Sequence, residues 1–394
     1  MAAGAGPEEP RAQSDLGRAL AALDGYLRRR PLQALLAVKA IGAAQWAWKR
    51  LRLAGTGQDS AGKLEWAIRS ASVPVVAVVP PNWLGVTTST RNGFPNVLFC
   101  SDQQPEPGKV AEEILRRGFS TVVFSDVPGV FPQVARALRA RSASVRLLVH
   151  YHGSLVQNVQ PEIRQRFRAV LDLARGGMVE KVGCAKAGMA DVLQRMGVRA
   201  CYLPYRVERP GQVTHHPAGS PRKVGVFVRE ILLKNVHTQC AAACLLRDVE
   251  VHVNDPPDLS CVPSGPKVVA HGKLPYEEFL RLLGQMDLNL YASLSECYPM
   301  VVVESLIRGV PCLTSHTHEI FAHDRELGEL LIVPAHDNPV AIAEQAERVL
   351  ADREAIGRRC EAYALELNRC AEALLNEFAG FELYGSAGRD GWPA

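Results

Sequence analysis

Glu296 and Glu304 stand eight residues apart in the run SECYPMVVVESLIRGVPCLTS, Ser295 to Ser315, at the junction of an apolar strand and a helix. The strand is Leu288 to Ala292, broken at Ser293 and Ser295. The helix begins near Pro299, a residue favoured in a first helical turn, so that Glu296 falls on the loop and Glu304 on the helix. In open α/β sheets ligands bind outside the carboxyl ends of the strands, and two carboxylates so placed can face one crevice. Ionised carboxylates only accept hydrogen bonds, which suits them to the hydroxyls of a ribose or a hexose. Helix capping by Glu296 and solvation of Glu304 is the simpler reading of a lone pair. Against it, Glu304 lies between Val301, Val302, Val303 and Leu306, Ile307, where an unpaired carboxylate is expensive, so it calls for a partner.

Three other groups of residues could do chemistry. Arg229 and Lys234 bracket the turn between the strand and helix of KVGVFVREILLKNVHTQCAAACLL, Lys223 to Leu246; alone, such a pair is equally a solvated basic loop. The run RLLVHYHGS, Arg146 to Ser154, is an apolar strand ending in His150, His152 and Gly153, with the two histidines on one face. Either histidine could be the polar contact, and either could be a satisfied core residue. After the strand Val73 to Val79 comes PPNWLGVTTSTRNGFPN, Pro80 to Asn96, read as a loop in which Gly85, the hydroxyl run Thr87 to Thr90 and Arg91 could cradle an anion.

The order of these elements resembles the retaining GT-B glycosyltransferases of the family 4 type (glycosyl transferases group 1). Their Glu-x7-Glu motif precedes a small-residue helix and a Gly-x-Pro turn, present here as Gly309, Val310, Pro311. Tyr298 and Pro299 stand where the family has Phe and Gly, and Pro299 removes a backbone N–H there. By this resemblance Glu304 holds the ribose hydroxyls of a nucleotide sugar, Glu296 sits beside the hydroxyls of the donor sugar, and Tyr298, Pro299, Met300 and Val301 lie along the donor. Arg229 and Lys234, the latter followed by Asn235, match the cations that bind the donor diphosphate. Two fixed cations and a helix amino terminus neutralise a diphosphate leaving group as its charge develops. His152 borders the reacting sugar from the other side of the cleft, Gly153 lets backbone approach the ligand, and Gly85 borders the phosphates and acceptor.

The elements that must position these residues follow from periodicity. From about residue 73, apolar β-rich runs (VPVVAVV, STVVFS, RLLVHYH, KVGC) alternate with helical patterns at Val110 to Arg117, Val130 to Arg139, Pro161 to Leu173 and Ala187 to Met196. Such alternation predicts βαβ units and a parallel sheet. A Pro, Gly and His-rich stretch from Val207 to Lys223 reads as a linker. Beyond it KVGVFV, DVEVHVN, KVVAHG, LNLYA, CLTS and LLIVPA read as a second set of strands, with helices at His237 to Arg247, Tyr276 to Gln285, Met300 to Arg308 and Pro339 to Leu350. The expected fold class is α/β with GT-B architecture, two Rossmann-like parallel-sheet domains facing a cleft. The expected boundaries are 1–60 for an N-terminal extension, 61–206 for the acceptor-side domain, 207–222 for the linker, 223–351 for the nucleotide-sugar domain and 352–394 for helices that, by the resemblance, cross back to the first domain.

Composition narrows the classes. With 394 residues, 47% hydrophobic and 22% charged, the chain is long enough for two domains, and no apolar run reaches transmembrane length. A net charge of +4, without basic residues interleaved with aromatics, argues against nucleic acid as a partner. Ten cysteines without metal-ligand spacing read as buried thiols of a reducing, cytoplasmic compartment. Residues 27–53, ending in QWAWKRLRL, suit either a helical extension packed on the first domain or a peripheral contact with an anionic membrane.

The resulting expectation is a retaining glycosyltransferase that moves a sugar from a UDP-, GDP- or ADP-sugar to a hydroxyl acceptor. It needs no cofactor beyond the nucleotide-sugar co-substrate and, lacking an Asp-x-Asp motif at a strand end, no metal. A same-fold phosphorylase or epimerase, and a non-catalytic binding protein of GT-B shape, are the alternatives.

Overall fold

A computed structural model describes residues 64–103, 106–210, 221–258 and 265–384. The chain divides into Met1–Ala61 and Gly62–Ala394; the expectations for 1–60, including membrane contact through residues 27–53, lie outside the described residues. No helix among the described residues is long and apolar enough to cross a membrane.

The first sheet has seven strands in the order β1-β3-β2-β4-β5-β6-β7. They are β1 Glu65–Ile68, β2 Val75–Val79, β3 Asn96–Phe99, β4 Thr121–Ser125, β5 Arg146–Tyr151, β6 Lys181–Cys184 and β7 Ala200–Tyr202. All pairs are parallel except β1 with β3. The central β2 is buried at all five positions, as its unbroken VVAVV demands of a strand covered on both faces. Helices α1 Leu84–Gly93, α2 Pro107–Arg116, α3 Phe131–Arg141, α4 Pro161–Arg175 and α5 Ala187–Arg195 connect the strands.

The second sheet is wholly parallel, in the order β10-β9-β8-β11-β12. Its strands are β8 Arg222–Val226, β9 Val249–Val253, β10 Val268–Ala270, β11 Leu288–Tyr291 and β12 Cys312–Thr314. Helices α6 Val236–Cys244, α7 Tyr276–Gly284, α8 Met300–Leu306, α9 Arg325–Leu331 and α10 Pro339–Ala351 complete this lobe. The order changes direction at β8, so β8 and β11 lie side by side and their carboxyl ends open on one crevice.

The last helix, α11 Arg353–Ala379, joins the two lobes. Its early residues Ile356, Cys360 and Tyr363 pack in the core of the second lobe, whereas Leu375, Phe378 and Ala379 pack with Val75, Val123 and Leu148 under the first sheet.

Two sequence expectations are corrected. Pro80 to Asn96 is not a loop, because Leu84–Gly93 is helical; burial of Ser89, Thr90 and Asn92 overrides weak helix propensity, and the Thr87, Ser89 and Thr90 hydroxyls are satisfied by the carbonyls of Pro80 and Val86. The run LLIVPA is not a strand either. α9 extends through Leu331, and Ile332 makes only an isolated bridge to Thr314, since Asp324 caps α9 through the Leu327 N–H and carries the apolar face of Leu327 and Leu331 into the core. β1, β3 and β7 were not anticipated from the sequence.

Two outcomes follow. Phe378→Ala removes a buried ring from the helix–sheet contact and should cost about 3–5 kcal/mol in urea denaturation. Burial also lowers the His150 imidazole from 6.5 to about 4, although its bond to the Leu203 carbonyl opposes the shift. The unfolded chain therefore takes up this proton first as pH falls below 6.5, and the folded state loses stability down to about pH 4. Between pH 7 and pH 5 wild type should lose about 2 kcal/mol more than His150→Gln.

Candidate functional site

Lys234 and Glu296 meet at the carboxyl ends of β8 and β11. Lys234 closes the 3-10 turn Leu232–Lys234; its Nζ donates to Glu296 Oε1 and, at 2.7 Å, to the Tyr291 hydroxyl at the end of β11. Burial opposes the Lys234 ammonium, but Tyr291 and Glu296 outweigh it, so the pKa is raised and the charge persists at neutral pH. The backbone around the pair is held from several sides. Asn235 adopts a left-handed conformation at φ 53° and donates to the carbonyls of Ala292 (3.0 Å) and His336 (2.8 Å). The Gln239 side chain donates to the Lys234 carbonyl and accepts from the Ala292 N–H. From the first lobe, Lys186 at the amino end of α5 donates to the backbone carbonyls of Glu296, at 3.1 Å, and of Thr317.

Glu304 is buried on α8, and its partner is Tyr276, whose hydroxyl donates to Oε1 at 2.6 Å. Burial raises the Glu304 carboxyl, with Tyr276 and then Arg308 opposing. Arg308 also donates to the Glu304 carbonyl at 2.9 Å. Pro299 is the N-cap of α8, and Met300 and Val301 open its first turn, where backbone N–H groups have no intrahelical acceptor.

The first lobe reaches this loop through aromatic side chains. His152 Nδ1 lies 2.6 Å from the Tyr205 hydroxyl, and Tyr205 packs edge-on against Tyr298 with centroids 5.2 Å apart. His150 spends Nε2 on the Leu203 carbonyl at 3.0 Å. Of the two histidines, His152 is the one with a buried ring nitrogen, Nε2, that has no partner in the protein. Burial, then His150 and Arg166, hold His152 well below the usual histidine range, so it is neutral at pH 7. Beside it Asp126, at φ 64° after β4, accepts from Arg166 at 2.9 Å. Burial and then Glu296 push the Cys297 thiol up to about 12, so it is not a nucleophile at neutral pH. No disulfide joins the described cysteines.

The structure thus brings Lys234 and Glu296 into contact and links His152 to Tyr298 through Tyr205. Arg229 is exposed and makes no ion pair or side-chain hydrogen bond among the described residues. Gly85 is exposed in the first turn of α1, where an added Cβ meets nothing within 4 Å, so no packing demands glycine there. The neighbouring Thr87, Ser89 and Thr90 hydroxyls donate to the carbonyls of Pro80 and Val86. At Gly153 an added Cβ would lie 2.3 Å from the Tyr151 hydroxyl, which by itself favours glycine there. Among the described residues no cluster of three or more His, Cys, Asp and Glu side chains is placed to hold a metal.

Sequence reasoning missed Lys186, Tyr205, Tyr276 and Tyr291. A signal existed for two of them, because Lys186 follows β6 and Tyr291 ends β11, at the carboxyl edges where ligand-facing residues gather. Tyr276 and Tyr205 carried none.

Residues 234–352 match the sequence model of the family described as Glycosyl transferases group 1. No curated protein sequence matches the chain significantly. Solved structures do. An α,α-trehalose-phosphate synthase (UDP-forming) from Burkholderia xenovorans in complex with glucose-6-phosphate aligns at 12% identity and TM-score 0.53, over 77% of this chain and 99% of that one. A sucrose-phosphate synthase from Thermosynechococcus elongatus aligns at 14% identity and TM-score 0.51, over 77% and 100%. An E. coli trehalose-6-phosphate structure bound with UDP-2-fluoro glucose aligns at 11% identity and TM-score 0.52, over 77% and 98%. At these identities the likeness speaks to fold. The chain has the GT-B fold of two Rossmann-like lobes, and its second lobe carries the sequence signature of the group 1 glycosyl transferases.

Proposed function

We propose that this protein is a retaining glycosyltransferase that moves a sugar from a nucleoside diphosphate sugar to a hydroxyl acceptor without a divalent metal. The observation that carries the reading is the Lys234–Glu296 pair at the joined carboxyl ends of β8 and β11, inside the stretch that matches the family. Lys234 keeps its proton at neutral pH and supplies a fixed positive charge where a diphosphate would leave; the exposed guanidinium of Arg229, five residues earlier, supplies a second. Because Lys234 already holds Glu296, donor binding makes it bridge the carboxylate and the phosphate. Glu296 then accepts from sugar hydroxyls, and neutral His152 donates from Nε2 on the opposite side. Glu304 receives the ribose hydroxyls once Tyr276 turns away from Oε1, which makes nucleotide binding a competition with one intramolecular hydrogen bond.

In the reaction the acceptor oxygen bonds to the anomeric carbon on the face from which the diphosphate departs, and the acceptor proton leaves with the diphosphate. No protein nucleophile enters; Cys297, the thiol beside Glu296, is protonated. The uridine nucleotides named for two of the similar structures support UDP-sugars as the first donors to test, ahead of GDP- and ADP-sugars.

Nucleotide release from UDP-, GDP- and ADP-sugars, with and without acceptor, tests the reading; no release from any of them by the full chain would end it. Lys234→Ala should lower kcat by about 100- to 1000-fold with a smaller change in donor KM, since it acts on developing charge. Glu304→Ala should raise donor KM by about tenfold or more through lost ribose contacts. EDTA should leave turnover unchanged, and restoration by magnesium after loss in EDTA would contradict the metal-free mechanism.

A further inference from the structure

Ten large apolar side chains are exposed among the described residues, and six of them, Leu155, Val156, Val159, Ile231, Leu232 and Leu294, belong to three short segments beside the candidate site. Val159 is 76% exposed and Leu232 83%. Scattered surface leucines need no explanation, but a concentration around one cleft does.

Hydrogen bonds fix these segments to the site. In the first lobe the 3-10 turn Val156–Val159 follows directly on β5 and His152, and bonds from Gln157 N to the Ser154 carbonyl and from Asn158 N to the Leu155 carbonyl keep it ordered. Between the apolar residues, Gln157 Oε1 accepts from the Ser154 N–H at 3.2 Å and from Cys297 Sγ at 3.6 Å, so the turn abuts the residue next to Glu296. In the second lobe the Leu294 N–H donates to the Leu233 carbonyl at 2.9 Å, and Leu233 adjoins Lys234, which holds Glu296. Both lobes therefore carry exposed aliphatic side chains on segments that border Lys234, Glu296 and His152. These six side chains offer a sugar or a sugar phosphate no hydrogen bond.

We propose that the acceptor carries its hydroxyl on an alkyl or lipid chain, which lies along Leu155, Val156, Val159, Leu232 and Leu294 while the hydroxyl reaches the anomeric carbon of the donor sugar held beside Glu296. The inference rests on the transferase reading and gives it an acceptor class. The acceptor oxygen forms the new bond to the anomeric carbon, the bond from that carbon to the phosphate oxygen breaks, and the nucleoside diphosphate leaves with the hydroxyl proton. The apolar chain takes no part in that exchange and supplies only binding, through area removed from water.

Isothermal titration of the full chain with methyl β-glucoside and with octyl β-glucoside below its micelle concentration, each in the presence of UDP, tests this. Octyl β-glucoside should bind at least about tenfold more tightly than the methyl compound, a difference that burial of only two methylene groups would supply. The double variant Val156→Asp, Val159→Asp should erase the preference, while Leu330→Asp, at an exposed leucine on α9, keeps it; UDP binding should be equal in all three. Equal affinity for the two glucosides in wild type, or a preference that survives in the double variant, overturns the proposal. Self-association that the double variant abolishes would instead make the rim a contact between copies, and flotation with phosphatidylcholine vesicles without any octyl preference would make it a membrane-surface contact; each overturns it too. Failure of UDP, GDP and ADP to bind wild type would remove the transferase reading, whereas the octyl preference separately decides whether the rim takes an alkyl chain.

Discussion

A lysine and a glutamate removed from water at the edge of a parallel sheet set the terms for the second lobe. Taking each charge into the interior costs several kcal/mol, and only close pairing with further hydrogen bonds offsets this. Lys234 meets that requirement with Glu296 and Tyr291, which forces β8 and β11 to be neighbours and their following loops to touch. The left-handed turn at Asn235, the carbonyl contacts of its amide and the two-sided bonding of Gln239 all hold the chain where the pair can form. The same arrangement leaves a persistent ammonium at the mouth of a crevice, so a constraint on folding is also what gives the site its chemistry.

The lobes are held together in two ways. α11 crosses from one core to the other, and Asn368 on it exchanges two hydrogen bonds with the Val207 backbone while Glu372 pairs with Arg206, so the stretch around residues 206 and 207 is anchored to the crossing helix. At the cleft the contacts combine the Tyr205–Tyr298 ring packing with polar bonds, Lys186 on the carbonyls of Glu296 and Thr317 and Gln157 on Cys297. Polar contacts of this kind exchange with water and ligand at little cost compared with a buried aliphatic interface.

Much of this was legible in the residues. Unbroken apolar runs such as VVAVV specify central parallel strands, and the residues singled out at strand ends include Lys234 and Glu296, which the fold brings into contact where β8 and β11 pair. The demand that a glutamate among valines find a partner was also correct, although the partner, Tyr276, begins a helix 28 residues away and no local pattern announces it. Local propensity misled at Thr87 to Thr90, where packing of a buried helix face overrides the weak propensity of β-branched and hydroxyl residues. It misled again at Leu330 to Ala335, where a capped amphipathic turn outcompetes strand pairing. Gly153 shows a third limit, because the close approach of the Tyr151 hydroxyl beside it is a contact set by the orientation of one side chain.

The most direct measurement is a crystal structure of the full chain with UDP. The account predicts a diphosphate within hydrogen-bonding distance of Lys234 Nζ and the Arg229 guanidinium, with the ribose hydroxyls on Glu304 and the Tyr276 hydroxyl displaced from Oε1. A nucleotide bound away from Lys234, or one that leaves the Tyr276–Glu304 hydrogen bond intact, would contradict it.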